Sequence, residues 1–277
     1  MTSAITLTLL GTGSPLPSAD RAGPANLVQA GGLHLLFDCG RGVTMRLAAV
    51  GVHPGQLHHV FLTHLHSDHV TDFNDLVTTR WAAWPIPSPL PVTGPIGTAA
   101  FVDRTIAMLS DDIGYRIAHH DDLNEPPQVD VNELAIGQAF LSEGVRVASA
   151  PTDHRPVGPT LGYRVECDGK SVVLAGDTVP CATLDVLCAD ADVYVQTVVR
   201  PDLIRAVGSP RFNDVIDYHS SCEDAGRTAA RGDVKTLVLT HMVPPPQPGS
   251  EEEWIAQAAQ HFDGEIVFAH DLMKIEL

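Results

Sequence analysis

The sequence has few basic residues, and their scarcity argues against one common class of binding surface. Of its 277 residues, 34 are Asp or Glu and only 17 are Lys or Arg, so the formal net charge is −17 at pH 7. The lysines are Lys170, Lys235 and Lys274, far apart in the chain. Proteins that hold a large nucleic acid usually present a basic face, because neutralised phosphates supply much of the affinity. The sequence therefore predicts no general polyanion-binding surface.

Paired cysteines and long apolar runs are also missing. The five cysteines are odd in number, scattered and without a CxxC pair, which favours free thiols and a reducing compartment. No apolar run reaches the length that crosses a bilayer, and the chain begins with strand-like alternation instead of a charged leader and cleavage site. We therefore expect a cytoplasmic protein that has no membrane partner.

The densest group of metal-competent side chains lies in residues 63–69. This run, THLHSDH, directly follows an apolar segment and offers three imidazoles and one carboxylate within six residues, in His64, His66, Asp68 and His69. Such a set holds too many ligands for one tetrahedral zinc ion and about half of those that two ions need. The spacing predicts a two-metal site whose other ligands lie further along the chain.

Three later strand-like runs each lead to a further metal-competent residue. They lead to His154, Asp177 and His241. Ligands cluster where the ends of several strands of one sheet converge. Each of the three alone would be an ordinary surface histidine or turn aspartate, but the joint pattern indicates a metal site.

The order of these motifs resembles that of the metallo-β-lactamase superfamily of binuclear metallohydrolases. HxHxDH, a lone His, a strand followed by GD and a strand followed by TH occur here in that order. The resemblance extends from about residue 5 to the end of the chain, and it does not specify a substrate. Five further motifs are similar to those of the ribonuclease Z and arylsulfatase branch, namely LLGTGSP at 9–15, FDCG at 37–40, GYRV at 162–165, GDT at 176–178 and YHSS at 218–221.

The strand and helix pattern predicts one α/β domain over residues 1–277. Strand-like runs cluster in both halves of the chain, and helical segments alternate with them. We expect an αββα metallo-β-lactamase sandwich, in which two mixed β-sheets pack face to face with helices outside.

The resemblance divides the candidate ligands between two metal ions. Metal one is assigned His64, His66 and His154, metal two is assigned Asp68, His69 and His241, and Asp177 bridges both. These N/O donors suit two Zn²⁺ per chain, and Mn²⁺ or Fe remains open by ligand type. Two such cations lower the pKa of a shared water towards 7 and stabilise charge on phosphoryl or acyl oxygens. Hydrolysis is therefore the expected chemistry, with Asp68 required for it.

Three other residues are expected to assist this centre. His219 is the candidate general acid, since it lies outside the ligand set in the motif that resembles the branch's His-Ser-Thr. The alternative is that it only precedes a helix capped by Ser220 or Ser221. Asp38 and Thr63 are expected to orient ligand imidazoles through hydrogen bonds.

Three departures from ribonuclease Z bear on the substrate. The long Gly/Pro- and Lys-rich arm that grips tRNA in that family is replaced by residues 166–170 alone, so we expect no such arm. The family's His-Glu-Ala-Thr stretch aligns with residues 195–198, so the carboxylate that would support the general acid is either replaced by Gln196 or absent. The acidic balance also opposes polyanion binding. We therefore expect a small or flexible phosphodiester as substrate, and tRNA is possible but disfavoured.

Alternatives to this function remain open. An arylsulfatase-like or lactone/ester hydrolase is the alternative within enzymes, because sulfate and phosphate esters present similar oxygens to two metals. A genuine tRNA 3′-end endonuclease and a metal-binding protein without catalysis are the others. Homodimers are common in families that resemble this one, so a homodimer is expected.

A few further residues are candidates for contacts near the site. Arg155 and Arg200 are candidates to reach a bound anion. Trp81 and Trp84, beside a proline-rich loop over 84–91, either wall a hydrophobic pocket or pack in the core. The paired histidines, including His59, are expected to be solvated.

Overall fold

Two seven-stranded β-sheets form the centre of the computed structural model, which describes residues 4–86 and 88–277. Residues 1–3 of the predicted domain, and Pro87 of the predicted proline-rich loop, lie outside the described residues. The strands of the first sheet, from edge to edge, are β14 (Met273–Glu276), β1 (Ile5–Gly11), β2 (Ala25–Ala30), β3 (Leu33–Phe37), β4 (His59–Phe61), β5 (Leu90–Gly94) and β6 (Val129–Glu133). Those of the second sheet are β13 (Glu265–Phe268), β12 (Thr236–Val243), β11 (Val193–Val199), β10 (Lys170–Leu174), β9 (Leu161–Cys167), β8 (Val145–Pro151) and β7 (Gly137–Ser142).

Each sheet is mixed, with an antiparallel half and a parallel half. In the first sheet β14, β1, β2 and β3 pair antiparallel, whereas β3 to β6 pair parallel. In the second sheet β7 to β10 pair antiparallel, whereas β10 to β13 pair parallel. Because β8, β10, β11 and β12 all run in the same direction, their carboxyl ends lie at one edge of the second sheet.

The core between the sheets follows from strand alternation. Successive side chains of a strand point to opposite faces, and in β3 the residues Leu35 and Phe37 belong to the inter-sheet core while Leu36 belongs to the outer cluster. Phe37 stacks on Phe61 with ring centroids 4.7 Å apart, and Tyr163 of the second sheet meets Phe61 at 5.4 Å. The two sheets therefore pack face to face through large apolar side chains.

Helices cover the outer faces of both sheets. α1, α3 and α4 share an apolar cluster with the outer residues of the first sheet, and α6, α9 and α10 contact strands of the second. The helices in chain order are α1 (Val43–Ala49), α2 (Ser67–Val70), α3 (Phe73–Ala83), α4 (Thr98–Met108), α5 (Ser110–His119), α6 (Ala182–Cys188), α7 (Pro201–Val207), α8 (Pro210–Asn213), α9 (Cys222–Arg231) and α10 (Glu251–Ala258). The predicted αββα sandwich of two mixed sheets is confirmed.

Some elements differ from the sequence prediction. Leu90 and Pro91 belong to β5 and pair with β6, instead of ending a rigid loop.

β9 and β10 are joined by the two-residue turn Asp168-Gly169, as the short spacer predicts. All five cysteines are free thiols. Over the described part of the chain, none of the helices combines the length and the apolar character that a membrane span needs.

Candidate metal centre

The structure brings all seven predicted ligands together at the edge where these strands end. Their candidate ligand atoms fall into two groups, and within each group the atoms lie within 4.8 Å of one another. The first group is His64, His66, His154 and Asp177, and the second is Asp68, His69 and His241. Asp177 connects them, because its Oδ2 is 3.4 Å from Nε2 of His69 and 3.9 Å from Nε2 of His64. Apart from Asp177, which the resemblance assigns to both ions, the two groups have the same members as the two ligand sets that the resemblance implies.

The first sheet delivers its ligands through one tight segment after β4. His66 has an extended backbone and occupies the N-cap position of the short helix α2. Its side chain and those of the following turn therefore face different directions. Asp68 and His69 lie side by side in that turn, and both are buried. This geometry explains why a HxHxDH run can serve two neighbouring positions.

Asp38 fixes the orientation of the buried imidazole of His69. It follows β3 with a positive φ of 60°, a conformation that Asp tolerates better than most residues. Its carboxylate accepts hydrogen bonds from the backbone N and from Oγ1 of Thr63, both at 2.8 Å. Its Oδ2 is also 2.8 Å from Nδ1 of His69. Nδ1–H of His69 therefore donates to Asp38, and Nε2 faces the cluster.

The imidazoles of the first group are oriented in the same way. Nδ1 of His154 donates to the carbonyl of Tyr218 at 2.8 Å, and Nδ1 of His64 lies 3.0 Å from Oγ1 of Thr63. Their Nε2 atoms then meet Nδ1 of His66 at 3.3 Å and 3.1 Å. Asp38 and Thr63 thus lie where the sequence predicts that they orient ligand rings.

The electrostatics of the cluster fit a bound cation. Burial lowers the pKa of His154 to about 4, so this ring is neutral at pH 7 and offers a lone pair. Burial opposes ionisation of Asp177, but the imidazoles of His241 and His69 outweigh it and hold its pKa well below the usual range. Nε2 of His69 and Oδ1 of Asp177 are buried and have no hydrogen-bond partner among the described residues. Such orphaned atoms are rare in folded proteins, and a divalent cation would satisfy both.

His219 lies beside the cluster and is not supported by Gln196. Its Nδ1 donates to the carbonyl of Val215 at 2.9 Å, and its Nε2 is 3.2 Å from Oδ2 of Asp177. Gln196 is fully buried and bonds Tyr194 and Thr197, so it does not take the place of a supporting carboxylate at His219, which leaves the other possibility, that this carboxylate is absent. A backbone carbonyl fills that place.

The neighbouring serine has the capping role that the alternative interpretation describes. Ser221 is the N-cap of α9 and forms a capping box with Asp224. His219 therefore both precedes α9 and faces the cluster. The capping role belongs to Ser221, a different residue of the same motif.

An open pocket of about 560 Å³ adjoins the cluster. Its walls include Ser14, Leu16, Arg211 and Phe212, and of these only Ser14 lies in one of the motifs named from the sequence. The signal that could have found the others is proximity in sequence, because Leu16 directly follows the LLGTGSP motif and Arg211 and Phe212 shortly precede His219.

The two arginines proposed from the sequence do not line this pocket. Arg155 pairs with Asp153 at 2.5 Å between Nη2 and Oδ2, and Arg200 pairs with Asp202 at 2.7 Å. Arg200 also lies over the ring of Trp254. Both guanidinium groups are therefore already engaged by carboxylates of this chain.

The tryptophans lie away from the seven ligands, and His59 is placed differently from its expectation. Trp81 packs with Ile113 and Leu123 and borders a separate cavity of about 400 Å³ that contains none of the seven ligands. Trp84 stacks on His53. His59 is only 9% exposed and stacks on a phenylalanine, so the expectation that it is solvated is wrong.

Comparison with known proteins agrees with this geometry. The family model described as Beta-lactamase superfamily domain matches residues 34–242. The curated protein named Ribonuclease Z from Mycobacterium avium (strain 104) is 54% identical over 99% of this chain and 98% of its own length. The protein of the same name from Mycobacterium bovis (strain BCG / Pasteur 1173P2) is 53% identical over 98% of each chain. This chain belongs to the ribonuclease Z family of the β-lactamase superfamily.

Solved structures show the same fold at lower identity. The metallo-β-lactamase fold protein YhfI from Bacillus subtilis superimposes with a TM-score of 0.78 at 20% identity and covers 100% of both chains. The short form of human tRNase Z superimposes with a TM-score of 0.72 at 24% identity and covers 98% of both chains. As a ribonuclease Z family member with this cluster of His and Asp ligands, the protein is a metal-dependent hydrolase.

Proposed function

We propose that this protein is an endonuclease that hydrolyses a phosphodiester bond in RNA, using two Zn²⁺ held by the seven clustered residues. The observation that carries the proposal is the convergence of two groups of His and Asp ligand atoms on Asp177. This cluster occurs in a chain that matches curated proteins named Ribonuclease Z over nearly its whole length. Their name supports RNA over sulfate esters or lactones as the substrate class.

The donor set supports zinc. It consists of five imidazoles and two carboxylates, and zinc binds both donor types well, although Mn²⁺ or Fe also accepts them. In the proposal His64, His66 and His154 hold one ion, Asp68, His69 and His241 hold the other, and Asp177 is shared. When bound, two such cations supply an activated water and stabilise the charge that develops on phosphoryl oxygens.

His219 is proposed to supply the proton that the leaving oxygen needs. The Val215 carbonyl fixes Nδ1 of the ring, so Nε2 is held towards Asp177 at the wall of the pocket. A general acid must lie within hydrogen-bond reach of the atom it protonates. A ring held at the pocket wall meets this requirement for a phosphodiester that lies against the cluster.

The chain favours an RNA segment that is bound locally. β9 and β10 are joined by a turn of only two residues, and the net charge is −17. The described part of the chain therefore presents no extended basic surface to a nucleic acid. We therefore propose that a flexible single-stranded segment of the RNA enters the pocket. The proposed assembly is a homodimer. A small phosphodiester is the second candidate substrate, because the same short turn provides no arm to hold a large RNA.

Matched assays on the zinc-loaded enzyme test the proposal. The substrates are a precursor tRNA with a 3′ trailer, bis(p-nitrophenyl) phosphate, p-nitrophenyl sulfate and an aliphatic lactone. We expect cleavage of the RNA and of the phosphodiester, bound zinc near two equivalents by elemental analysis, and at least a 100-fold loss of activity in Asp68→Ala.

The control for this variant is Asp111→Ala, which removes an exposed carboxylate from the first turn of α5. Wild-type activity in Asp68→Ala would contradict a catalytic metal centre. Hydrolysis of bis(p-nitrophenyl) phosphate without any RNA cleavage would overturn the RNA assignment and leave the small phosphodiester.

A further inference from the structure

The pocket beside the ligand cluster has walls of a different chemistry from the cluster itself. Its volume of about 560 Å³ lies within the range of roughly 300–1,000 Å³ that is typical of small-ligand sites. Besides the cluster itself, two chain segments supply most of the lining, residues 14–16 and residues 209–218. We propose that Ser14, Arg211 and Phe212 form a subsite for the nucleotide next to the scissile phosphodiester. This inference rests on the proposed function and specifies how the substrate is held.

Arg211 supplies the charge that such a subsite needs. Apart from the histidines, it is the only basic residue among the described residues that line the pocket, and the cluster side carries Asp68 and Asp177. It is exposed, and no hydrogen bond or ion pair joins its side chain to another residue in 4–86 or 88–277. A guanidinium that no carboxylate engages is free to bind a phosphate with two parallel hydrogen bonds.

Ser14 provides an independent sign of a missing polar partner. Its side chain is only 2% exposed, and its Oγ has no hydrogen-bond partner within the described residues. A buried hydroxyl without a partner is costly, and Ser14 lines this pocket. A phosphate or ribose oxygen of a bound nucleotide would satisfy it.

The segment that carries Ser14 is held rigidly. Asp271 accepts a hydrogen bond from the backbone N of Thr12 at 2.9 Å and another from that of Ala22 at 2.7 Å. The backbone N of Gly13 donates to the carbonyl of Ala22 at 2.8 Å. The position of Ser14 is therefore set before a ligand arrives.

Phe212 and Leu16 add an apolar surface suited to a base. Phe212 packs against the buried cluster of Val199, Ile204 and Val243 and also lines the pocket, so its ring is fixed on one side and available on the other. Leu16 is 42% exposed and lines the same pocket. Proteins bind single-stranded RNA largely by stacking bases on aromatic rings while arginines contact the phosphates.

Steady-state kinetics of the zinc-loaded enzyme distinguish a nucleotide subsite from general support of the active site. Arg211→Ala is expected to raise KM for the precursor RNA at least tenfold, while kcat/KM for bis(p-nitrophenyl) phosphate, which has no base or ribose, stays within twofold. Arg211→Lys is expected to recover part of the loss. The matched control is Arg205→Ala, since Arg205 is an exposed arginine of α7 that does not line the pocket.

Two milder variants keep the test independent of folding. Phe212→Leu preserves the apolar packing but removes the aromatic face, and Ser14→Ala removes only the unpartnered oxygen. Each is expected to lower kcat/KM for the RNA at least fivefold, with an unchanged Tm and an unchanged rate on bis(p-nitrophenyl) phosphate.

Inhibition by AMP tests the subsite even if RNA proves not to be the substrate. AMP and inorganic phosphate are each titrated as inhibitors of bis(p-nitrophenyl) phosphate hydrolysis. In Arg211→Ala the Ki of AMP is expected to rise at least tenfold more than the Ki of phosphate.

The outcomes separate the two proposals. A wild-type enzyme that does not cleave RNA overturns the proposed function, and the AMP titration then decides the subsite. Equal losses on RNA and on bis(p-nitrophenyl) phosphate, or an Arg211→Ala enzyme that matches Arg205→Ala on RNA and AMP, would overturn the subsite while wild-type RNA cleavage still supports the function.

Discussion

The carboxylate of Asp38 and the imidazole of His69 are joined by a hydrogen bond of 2.8 Å between Oδ2 and Nδ1. Both side chains are buried, and Oδ2 also accepts from Oγ1 of Thr63 at 2.8 Å. Asp38 therefore determines which ring nitrogen of His69 carries the proton and which one faces the cluster. Burial disfavours the charged form of His69, yet the carboxylates of Asp177 and Asp38 raise its pKa well above the usual value.

Asp38→Asn is expected to weaken metal binding without unfolding the protein. Asn tolerates the positive φ at this position, but an NH2 group replaces one of the two carboxylate oxygens and cannot accept. Either the backbone N–H of Thr63, or the His69 ring together with Oγ1 of Thr63, then loses its acceptor. Loss of such a partner typically costs about 10- to 100-fold in metal affinity. Competition with a chromophoric chelator measures the affinity for Zn²⁺. The control is Asp75→Asn, the same change at an exposed carboxylate of α3, and equal affinities in both variants would contradict the role of Asp38.

The candidate ligands could be predicted from the sequence because each lies near the end of a strand or just after one. The run 63–69 and the residues His154, Asp177 and His241 all lie at strand ends or in the last part of a strand, where a sheet brings distant residues to one edge. His241 lies inside β12 with a positive φ of 47°, which no local pattern indicates.

The pocket walls could not be predicted in this way. Arg211 and Phe212 lie in the four-residue helix α8, and such a short element has no periodicity that shows which face it presents. Their position depends on packing against Val199, Ile204 and Val243, which is a tertiary contact. β5 was missed for a related reason, since Pro91 argues against a strand until the pairing with β6 is known.

His219→Ala is expected to slow RNA cleavage and leave metal binding intact. Loss of a general acid costs about 10²- to 10⁴-fold in rate. The loss should be far smaller with bis(p-nitrophenyl) phosphate, because p-nitrophenolate leaves readily without a proton. The measurements are kcat on both substrates and zinc content by elemental analysis, with His120→Ala as a control at an exposed histidine. Equal losses on the two substrates, or loss of zinc, would instead make His219 a structural part of the centre.

His59 is expected to make the fold less stable in mild acid. Burial lowers its pKa to about 4, whereas an unfolded His has a pKa of about 6.5. Above pH 6.5 the ring is neutral in both states and no stability is lost. As the pH falls from 6.5 to 4, only the unfolded state takes up the proton, so the free energy of unfolding decreases by up to roughly 3 kcal/mol.

His59→Phe should remove this part of the acid sensitivity. The phenyl ring can keep the stacking on Phe61, whose centroid lies 4.3 Å from that of His59. Urea unfolding at pH 7.0, 5.5 and 4.5 measures the free energy, and the decrease should be smaller in the variant than in wild type. His119→Phe, at an exposed histidine, is the control. A parallel decline in all three proteins would contradict the buried neutral state of His59.

Gly40→Ala is expected to disturb the metal centre through the backbone. A Cβ at Gly40 would lie 2.4 Å from the carbonyl carbon of Gly23 and 2.6 Å from the backbone oxygen of Asp68. Both are backbone atoms and cannot rotate away, so we expect a loss of about 1–3 kcal/mol, as for other overpacked sites, and weaker zinc binding because Asp68 must shift.

Gly114→Ala in α5 is the matched control for this substitution, because nothing lies within 4 Å of its Cβ position. There the change should stabilise the helix by about 0.5–1 kcal/mol. Thermal unfolding with and without a chelator measures both effects. If Gly40→Ala has the Tm and zinc content of wild type, then the segment that carries Gly23 can retreat, and the close backbone packing around Asp68 is not what holds that ligand in place.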